Sequence, residues 1–211
     1  MNIVIFGTGF AGTAIARELT GRGHHVTAVS RSGNRELPEG VASVTGSVHE
    51  PAFVDSATSG ADAIVSALPA LSPDGDLDTS VTALLRAART GGARLGVVGG
   101  AAVVPTEPGG PRLVDTPEFP AKAAPVVEAH QRALDVLNSA PKGVDWFYLV
   151  PALEFGAHAP GTRTGSYRTS DTALVRNDEG RSAIGGADYA IAFADELENP
   201  RTHRGWLAIG Y

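Results

Sequence analysis

The sequence predicts an α/β fold, a doubly wound parallel sheet with a small C-terminal extension, and three observations carry that prediction. The apolar run Ile3-Val4-Ile5-Phe6 passes through Gly7-Thr8-Gly9-Phe10-Ala11-Gly12 into a segment with Ala14, Ile15 and Leu19 at helical spacing. Strand-like and helix-like segments then alternate along the chain, the pattern of a parallel sheet with helical crossovers. The stretch over residues 62–68 is nearly continuous in apolar side chains, as a strand covered on both faces requires. At 211 residues with 43% hydrophobic side chains, the chain is long enough to close one large core.

Taken in order, residues 3–6 are the first strand and the segment after Gly12 is the first helix. Val26-Thr27-Ala28-Val29 is the second strand, and residues 41–45 the third. Pro51 opens a helix that presents Phe53, Val54 and Ala57 on one face, and Gly60 stops it. Residues 62–68 form the fourth strand, broken by Pro69. A loop with Asp74, Asp76 and Asp78 leads to a helix carrying Val81, Leu84, Leu85 and Ala88, ended by Gly91-Gly92. Residues 95–98 form the fifth strand, which runs into Gly99-Gly100. Periodicity then dissolves into a proline-rich stretch over 103–125 before a helix over 126–139 with Val127, Leu134 and Leu137 inward. The sixth strand, residues 144–150, stops at Pro151. An irregular stretch over 152–170 precedes a hairpin around Asn177-Asp178-Glu179-Gly180, a helix with Tyr189, Phe193 and Leu197 on one side, and a terminal strand over 206–209. The expected strand order is 3-2-1-4-5-6 with a seventh strand added, in a single domain spanning 1–211. Its loops at 102–125 and 152–170 emerge at the carboxyl ends of the strands, where ligands bind, and are expected to wall a substrate pocket.

The glycine motif gives this fold its first chemistry. In a strand-turn-helix context Gly7 makes the tight turn, Gly9 lets backbone approach a pyrophosphate, and Gly12 lets helix and strand pack closely, while the helix N-terminus faces the anion. The fold is therefore expected to be of the Rossmann type. A preference for the 2′-hydroxyl of NAD would place Asp or Glu at the end of the second strand, about 20 residues past the glycines. Instead the strand ends in Ser30-Arg31-Ser32-Gly33-Asn34-Arg35, and no carboxylate lies between Glu18 and Glu36. Arg31, with Arg35 and the Ser30 or Ser32 hydroxyl beside it, suits a 2′-phosphate, so NADP(H) is the expected cofactor.

Bulk properties narrow the class further. A net charge of −6 argues against a nucleic-acid surface, and no apolar run reaches the ~20 residues of a membrane span. Cysteine is absent, which removes disulfides, thiolate catalysis and Cys-ligated metal, and fits a cytoplasmic protein. The six histidines lack metal-ligand spacing, so no metal site is expected; His130 reads as an exposed helix position. Asp74, Asp76 and Asp78 lack the glycine and glutamate of a calcium loop and read as solvated.

Several segments together resemble the atypical short-chain dehydrogenase/reductases of the NAD(P)H-binding family, in the NADH-flavin reductase branch. They are residues 7–12, Gly99-Gly100-Ala101, Val114-Asp115-Thr116-Pro117-Glu118-Phe119-Pro120, Asp145-Trp146, Arg163-Thr164-Gly165-Ser166-Tyr167-Arg168, Asp188-Tyr189-Ala190 and Asp195-Glu196-Leu197-Glu198. Biliverdin reductase B/flavin reductase and the NmrA-like proteins are more distant relatives of that branch. The resemblance implies that Thr8, Gly9, Phe10 and Ala11 cradle the pyrophosphate and that Arg31 takes the 2′-phosphate. It further implies that Ala67, Leu68 and Pro69 line the ribose, while Gly99, Gly100 and Pro151 approach the nicotinamide. Ser47 stands where relatives usually carry an Asp that reaches the adenine amine.

One departure bears on the reaction. Alcohol- and ketone-directed members use Tyr-x-x-x-Lys, in which the lysine lowers the tyrosine pKa for proton transfer. Here the lysines are Lys122 and Lys142, and none of Tyr148, Tyr167, Tyr189 and Tyr211 stands four residues before either. The expected activity is therefore hydride transfer from NADP(H) to a flavin, quinone or similar small aromatic acceptor, which needs no tyrosine acid. Phe119, Phe155, Arg163 and Tyr167, on the two loops, are the expected acceptor-binding residues. A non-catalytic NADP-binding sensor of the NmrA type is the alternative from another class, and a nucleotide-sugar epimerase or dehydratase a third reading. The expected assembly is a monomer or homodimer.

Overall fold

The computed structural model describes residues 1–33, 36–117 and 119–211. Eight strands form one sheet: β1 (Asn2–Phe6), β2 (His25–Ser30), β3 (Ala42–Thr45), β4 (Ala63–Ser66), β5 (Arg94–Val98), β6 (Trp146–Val150), β7 (Arg168–Ser170) and β8 (Gly205–Gly210). Their spatial order is β3-β2-β1-β4-β5-β6-β8-β7. All neighbours are parallel except β7, which runs antiparallel to β8.

The first six strands and the terminal strand follow the sequence expectation, but the segment before the last helix does not. Residues 177–180 make a tight turn, with the Gly180 N–H donating to the Asn177 carbonyl at 2.9 Å, and no strand ladder flanks it. The additional strand, β7, instead comes from within the stretch expected to be irregular, where residues 168–170 pair with residues 208–210 of β8. The strand is three residues long, too short for an alternating pattern to register in sequence.

Five helices cover the two faces. Helices α2 (Pro51–Ala57), α3 (Leu77–Gly91) and α4 (Ala124–Asn138) pack on one face, against Ile64, Leu95, Val97, Trp146 and Tyr148. Helices α1 (Phe10–Gly21) and α5 (Gly186–Glu198) pack on the other, against Ile3, Ile5, Val65, Phe147 and Leu149. Successive residues of β6 thus feed opposite cores, which is why all five of its side chains are buried and why the strand reads as continuous apolar sequence. The proline-rich stretch after β5 is not featureless; it holds three short 3-10 turns, at Ala101–Val103, Leu113–Asp115 and Ala121–Ala123.

Beyond β6, polar staples act alongside the apolar packing of α5 and β8. Asp188, fully buried in the first turn of α5, accepts hydrogen bonds from the Thr164 and Gly165 N–H groups at 2.9 Å each, from Thr164 Oγ1 at 2.8 Å and from the Tyr211 hydroxyl at 2.6 Å. Burial pushes its pKa up, but these donors outweigh burial and hold the carboxyl below its usual range. Arg22 at the end of α1 binds Glu18, Asp195 and Glu198, and Arg94 binds the buried Glu196. A buried carboxylate survives only when so partnered.

Candidate cofactor cleft

The chain leaves β1 for β2 and β3 on one side and then crosses to β4 on the other, so the sheet reverses its winding between β1 and β4. Ligands bind at the carboxyl ends of the strands beside such a reversal. A cleft of about 490 Å³ opens there. Gly7, Thr8, Gly9 and Ala11 of the glycine turn, Ser30, Arg31 and Ser32 after β2, Ala67, Leu68 and Pro69 after β4, and Val98 at the end of β5 line it.

The three glycines of the turn answer to different neighbours. Gly7 has φ +106°, and a Cβ there would lie 2.3 Å from the Ala67 carbonyl oxygen. A Cβ on Gly12 would lie 1.9 Å from the Gly7 carbonyl oxygen, so helix and strand touch at that point. Gly9 is the exception, because a Cβ there would meet nothing within 4 Å. The protein itself does not require glycine at position 9. The residue keeps space open over the first turn of α1, whose N–H groups have no acceptor within the helix. That is the shape and polarity a pyrophosphate needs, so the residues present fit a dinucleotide.

The cleft also contains groups that strand periodicity could not reveal. His49, Ser72, Gly75 and Ser80 line it, together with Gly46 and Val48. Ser47 is not among the lining residues; its Oγ accepts the His49 N–H at 3.2 Å. Arg31 stands at the rim, paired with Asp74 of the β4–α3 loop and 3.5 Å from Ser72 Oγ. Asp76 and Asp78 are paired as well, both with Arg132, at 2.7 and 3.5 Å. The three aspartates expected to be solvated therefore all carry ion-pair partners. Arg35 lies outside the described residues.

The remaining expected contacts are distributed differently. The Phe10 ring turns away from the cleft toward α5, edge-on to Phe155 with centroids 5.4 Å apart, and fills the space that a Cβ on Gly186 would take. Gly99 and Gly100 do not line the cleft; a Cβ on Gly99 would lie 2.5 Å from the Tyr148 ring, and one on Gly100 2.7 Å from the His130 ring. Pro151 is buried at the end of β6.

The four expected acceptor-binding residues are not brought together, which corrects their grouping. Phe119 packs against the α2–α3–α4 core, whereas Phe155 and Tyr167 pack against the α1–α5 core on the opposite face. The Tyr167 hydroxyl donates to Asp195 at 2.5 Å; burial, followed by that carboxylate, raises its pKa to about 12. Arg163 pairs with Glu18 at 2.6 Å. These side chains tie the C-terminal extension to α1 and α5, and their charge or aromaticity is used there. His130 is also corrected: it is half-buried, with Nδ1 2.8 Å from the Tyr148 hydroxyl.

With this geometry in place, comparison with known proteins is informative. Residues 7–200 match the NAD(P)H-binding family. The chain belongs to that family. It is 36% identical over 206 residues to the uncharacterized protein YwnB of Bacillus subtilis, covering 95% of this chain and 93% of the relative. Among solved structures, SP1627 of Streptococcus pneumoniae, described as a "putative NADH-flavin reductase", superposes with a TM-score of 0.88 at 31% identity over 100% of this chain and 99% of its own. A "putative epimerase" from Bacteroides thetaiotaomicron gives 0.86 at 32% identity, over 100% and 96%. Membership establishes a nicotinamide cofactor for the fold, and the eight-stranded, mostly parallel sheet is that of NAD(P)-binding proteins. Among the described residues no helix is long and apolar enough to cross a membrane.

Proposed function

We propose that this protein is an NADP(H)-dependent reductase acting on a flavin, quinone or similar small aromatic acceptor. The observation that carries the cofactor choice is Arg31, whose guanidinium stands on the rim of the cleft beside Ser30 and Ser32. Among the described residues no carboxylate lines that cleft, so a 2′-phosphate would meet a cation and hydroxyls there and would compete only with Asp74, the present partner of Arg31.

The chain's own residues have limited but definite tasks in this reading. The first turn of α1 and Gly9 hold the pyrophosphate, Arg31 the 2′-phosphate, and Ala67 to Pro69 the adjoining ribose. When bound, the nicotinamide supplies a hydride. The protein then has to seat an electron-poor ring beside it and keep water out, a positioning task that needs no tyrosine acid. The similarity to a structure described as a "putative NADH-flavin reductase" supports this acceptor class.

Steady-state oxidation of NADPH and NADH against FMN, riboflavin and menadione tests the proposal. The expected result is modest turnover with at least one acceptor and a preference for NADPH. Bound NADPH with no oxidation across the panel would favour a sensor instead.

A further inference from the structure

The fully buried Tyr148 makes two hydrogen bonds. The Gly100 N–H donates to its hydroxyl oxygen at 2.9 Å, and that oxygen lies 2.8 Å from His130 Nδ1. A backbone amide can only donate, so the buried hydroxyl proton finds its acceptor at Nδ1, and the arrangement that satisfies both groups leaves Nδ1 unprotonated in a neutral ring. The remaining proton of His130 is therefore on Nε2. Burial acts in the same direction, pushing the His130 pKa down to about 4, so the ring stays neutral near pH 7. This chain of partners fixes both the tautomer and the orientation of the imidazole.

Nε2 has no hydrogen-bond partner in the protein among the described residues, while Nδ1 is fully used. The Cδ2–Nε2 edge lies over Gly100: a Cβ at that position would be 2.7 Å from Cδ2 and 3.1 Å from Nε2. Gly100 is two residues past Val98, a lining residue of the cofactor cleft, and sits where β5 has left the sheet at its carboxyl end. Glycine at 100 thus leaves room for a half-buried N–H donor whose position is set from behind by a buried tyrosine. A donor held in one orientation and without a partner in the protein is free to be taken up by a bound molecule.

We propose that His130 is an acceptor-binding residue, donating Nε2–H to a carbonyl oxygen of the flavin or quinone, and that Tyr148 is its positioning residue. The inference rests on the reductase reading and deepens it by naming the contact that recognises the acceptor. The ring keeps its proton throughout; it orients the carbonyl and is not an acid. Flavins and quinones share the required chemistry, an aromatic ring bearing a carbonyl at its edge.

The test uses the full chain, labelled with 15N-histidine and saturated with NADP+, titrated with FMN and separately with menadione. His130 should report an Nε2-protonated neutral ring, and its Nε2 and attached proton should shift when the preferred acceptor is added. In turnover, His130→Gln and Tyr148→Phe should each raise KM for the acceptor about tenfold, the loss of one hydrogen bond, with KM for NADPH changed less than about twofold. Tyr148→Phe should also release the tautomer, giving mixed Nδ1 and Nε2 protonation in the spectrum. Turnover by the wild type with His130 unmoved by the acceptor would overturn this assignment alone. Tight NADP+ binding with neither turnover nor any shift would overturn the reductase reading and this contact together. The wild-type spectrum decides the matter even if a variant fails to fold.

Discussion

Arg31, the last charged group of the β2 segment, is paired with Asp74, which arrives from the loop between β4 and α3. Both side chains are more than half exposed, at 58% and 55%. The carboxylate missing from the end of β2 in sequence is therefore supplied from a distant segment, as a neighbour of the arginine rather than a replacement for it. A 2′-phosphate would compete with Asp74 for the same guanidinium.

That competition has a measurable consequence for cofactor choice. Arg31→Ala should weaken NADPH binding by about 1–2 kcal/mol, at the low end for a charge-assisted contact because the site is solvated, and leave NADH nearly unchanged. Asp74→Asn should act in the opposite direction, tightening NADPH several-fold. Calorimetric titration of both cofactors checks the pair; equal effects on NADPH and NADH would remove Arg31 from the 2′-phosphate.

The open space over Gly9 makes a second, sharper forecast. Because a Cβ there meets no protein atom, Gly9→Val should fold with little loss of stability yet lose dinucleotide binding, since the branched side chain fills the pyrophosphate position. Gly12→Val, with its Cβ 1.9 Å from the Gly7 carbonyl, should instead fail in folding itself. Thermal melts alongside NADPH titrations separate the two, and wild-type affinity in the Gly9 variant would place the site elsewhere.

Asp188 provides a test of the scaffold. Asp188→Ala strands the Thr164 and Gly165 amides and the Tyr211 hydroxyl, and should cost about 3 kcal/mol in urea unfolding. Affinity for NADPH in the folded fraction should be little changed, because none of these groups lines the cleft. A variant as stable as the wild type would show that the C-terminal extension is held by other contacts.

The half-buried, partly desolvated imidazole of His130 predicts the acid limb of stability. Its folded pKa of about 4 lies below the ordinary histidine value of 6.5, so the unfolded chain binds the extra proton first. Stability is thus fullest above 6.5 and falls as pH drops toward 4, by up to about 3 kcal/mol from this residue. Asp188, with its carboxyl held low, adds to the loss at still lower pH, as the folded protein is forced to take up its proton. Urea midpoints across this range should decline, and His130→Gln should flatten the portion between 6.5 and 4. An unchanged slope in that variant would contradict the burial of a neutral ring.

Several features were legible in the linear chain because their physics is local. Gly7 declares itself by following an apolar strand and preceding a helix, and the heptad-like spacing of Val81, Leu84, Leu85 and Ala88 marks α3 through the periodicity of a helix. The motifs around Arg163, Asp188 and Asp195 were visible as motifs but not in their role. They form staples whose partners lie far away in sequence, as when Arg22 meets Asp195 across 173 residues. Phe119 and Phe155 likewise stood on neighbouring loops in prospect, while the sheet separates the cores they join.

The sequence alone determined the doubly wound sheet, the glycine turn at its reversal point and the cation at the end of β2. Each follows from residues a few positions apart, where backbone geometry and periodicity act without long-range contacts. Tertiary structure alone decided that Asp74 faces Arg31, that His49 lines the cleft, and that the Tyr148 hydroxyl meets His130 beside Gly100. Those relationships join separate strands, loops and helices, and they exist only after the sheet has brought the carboxyl ends of its strands together.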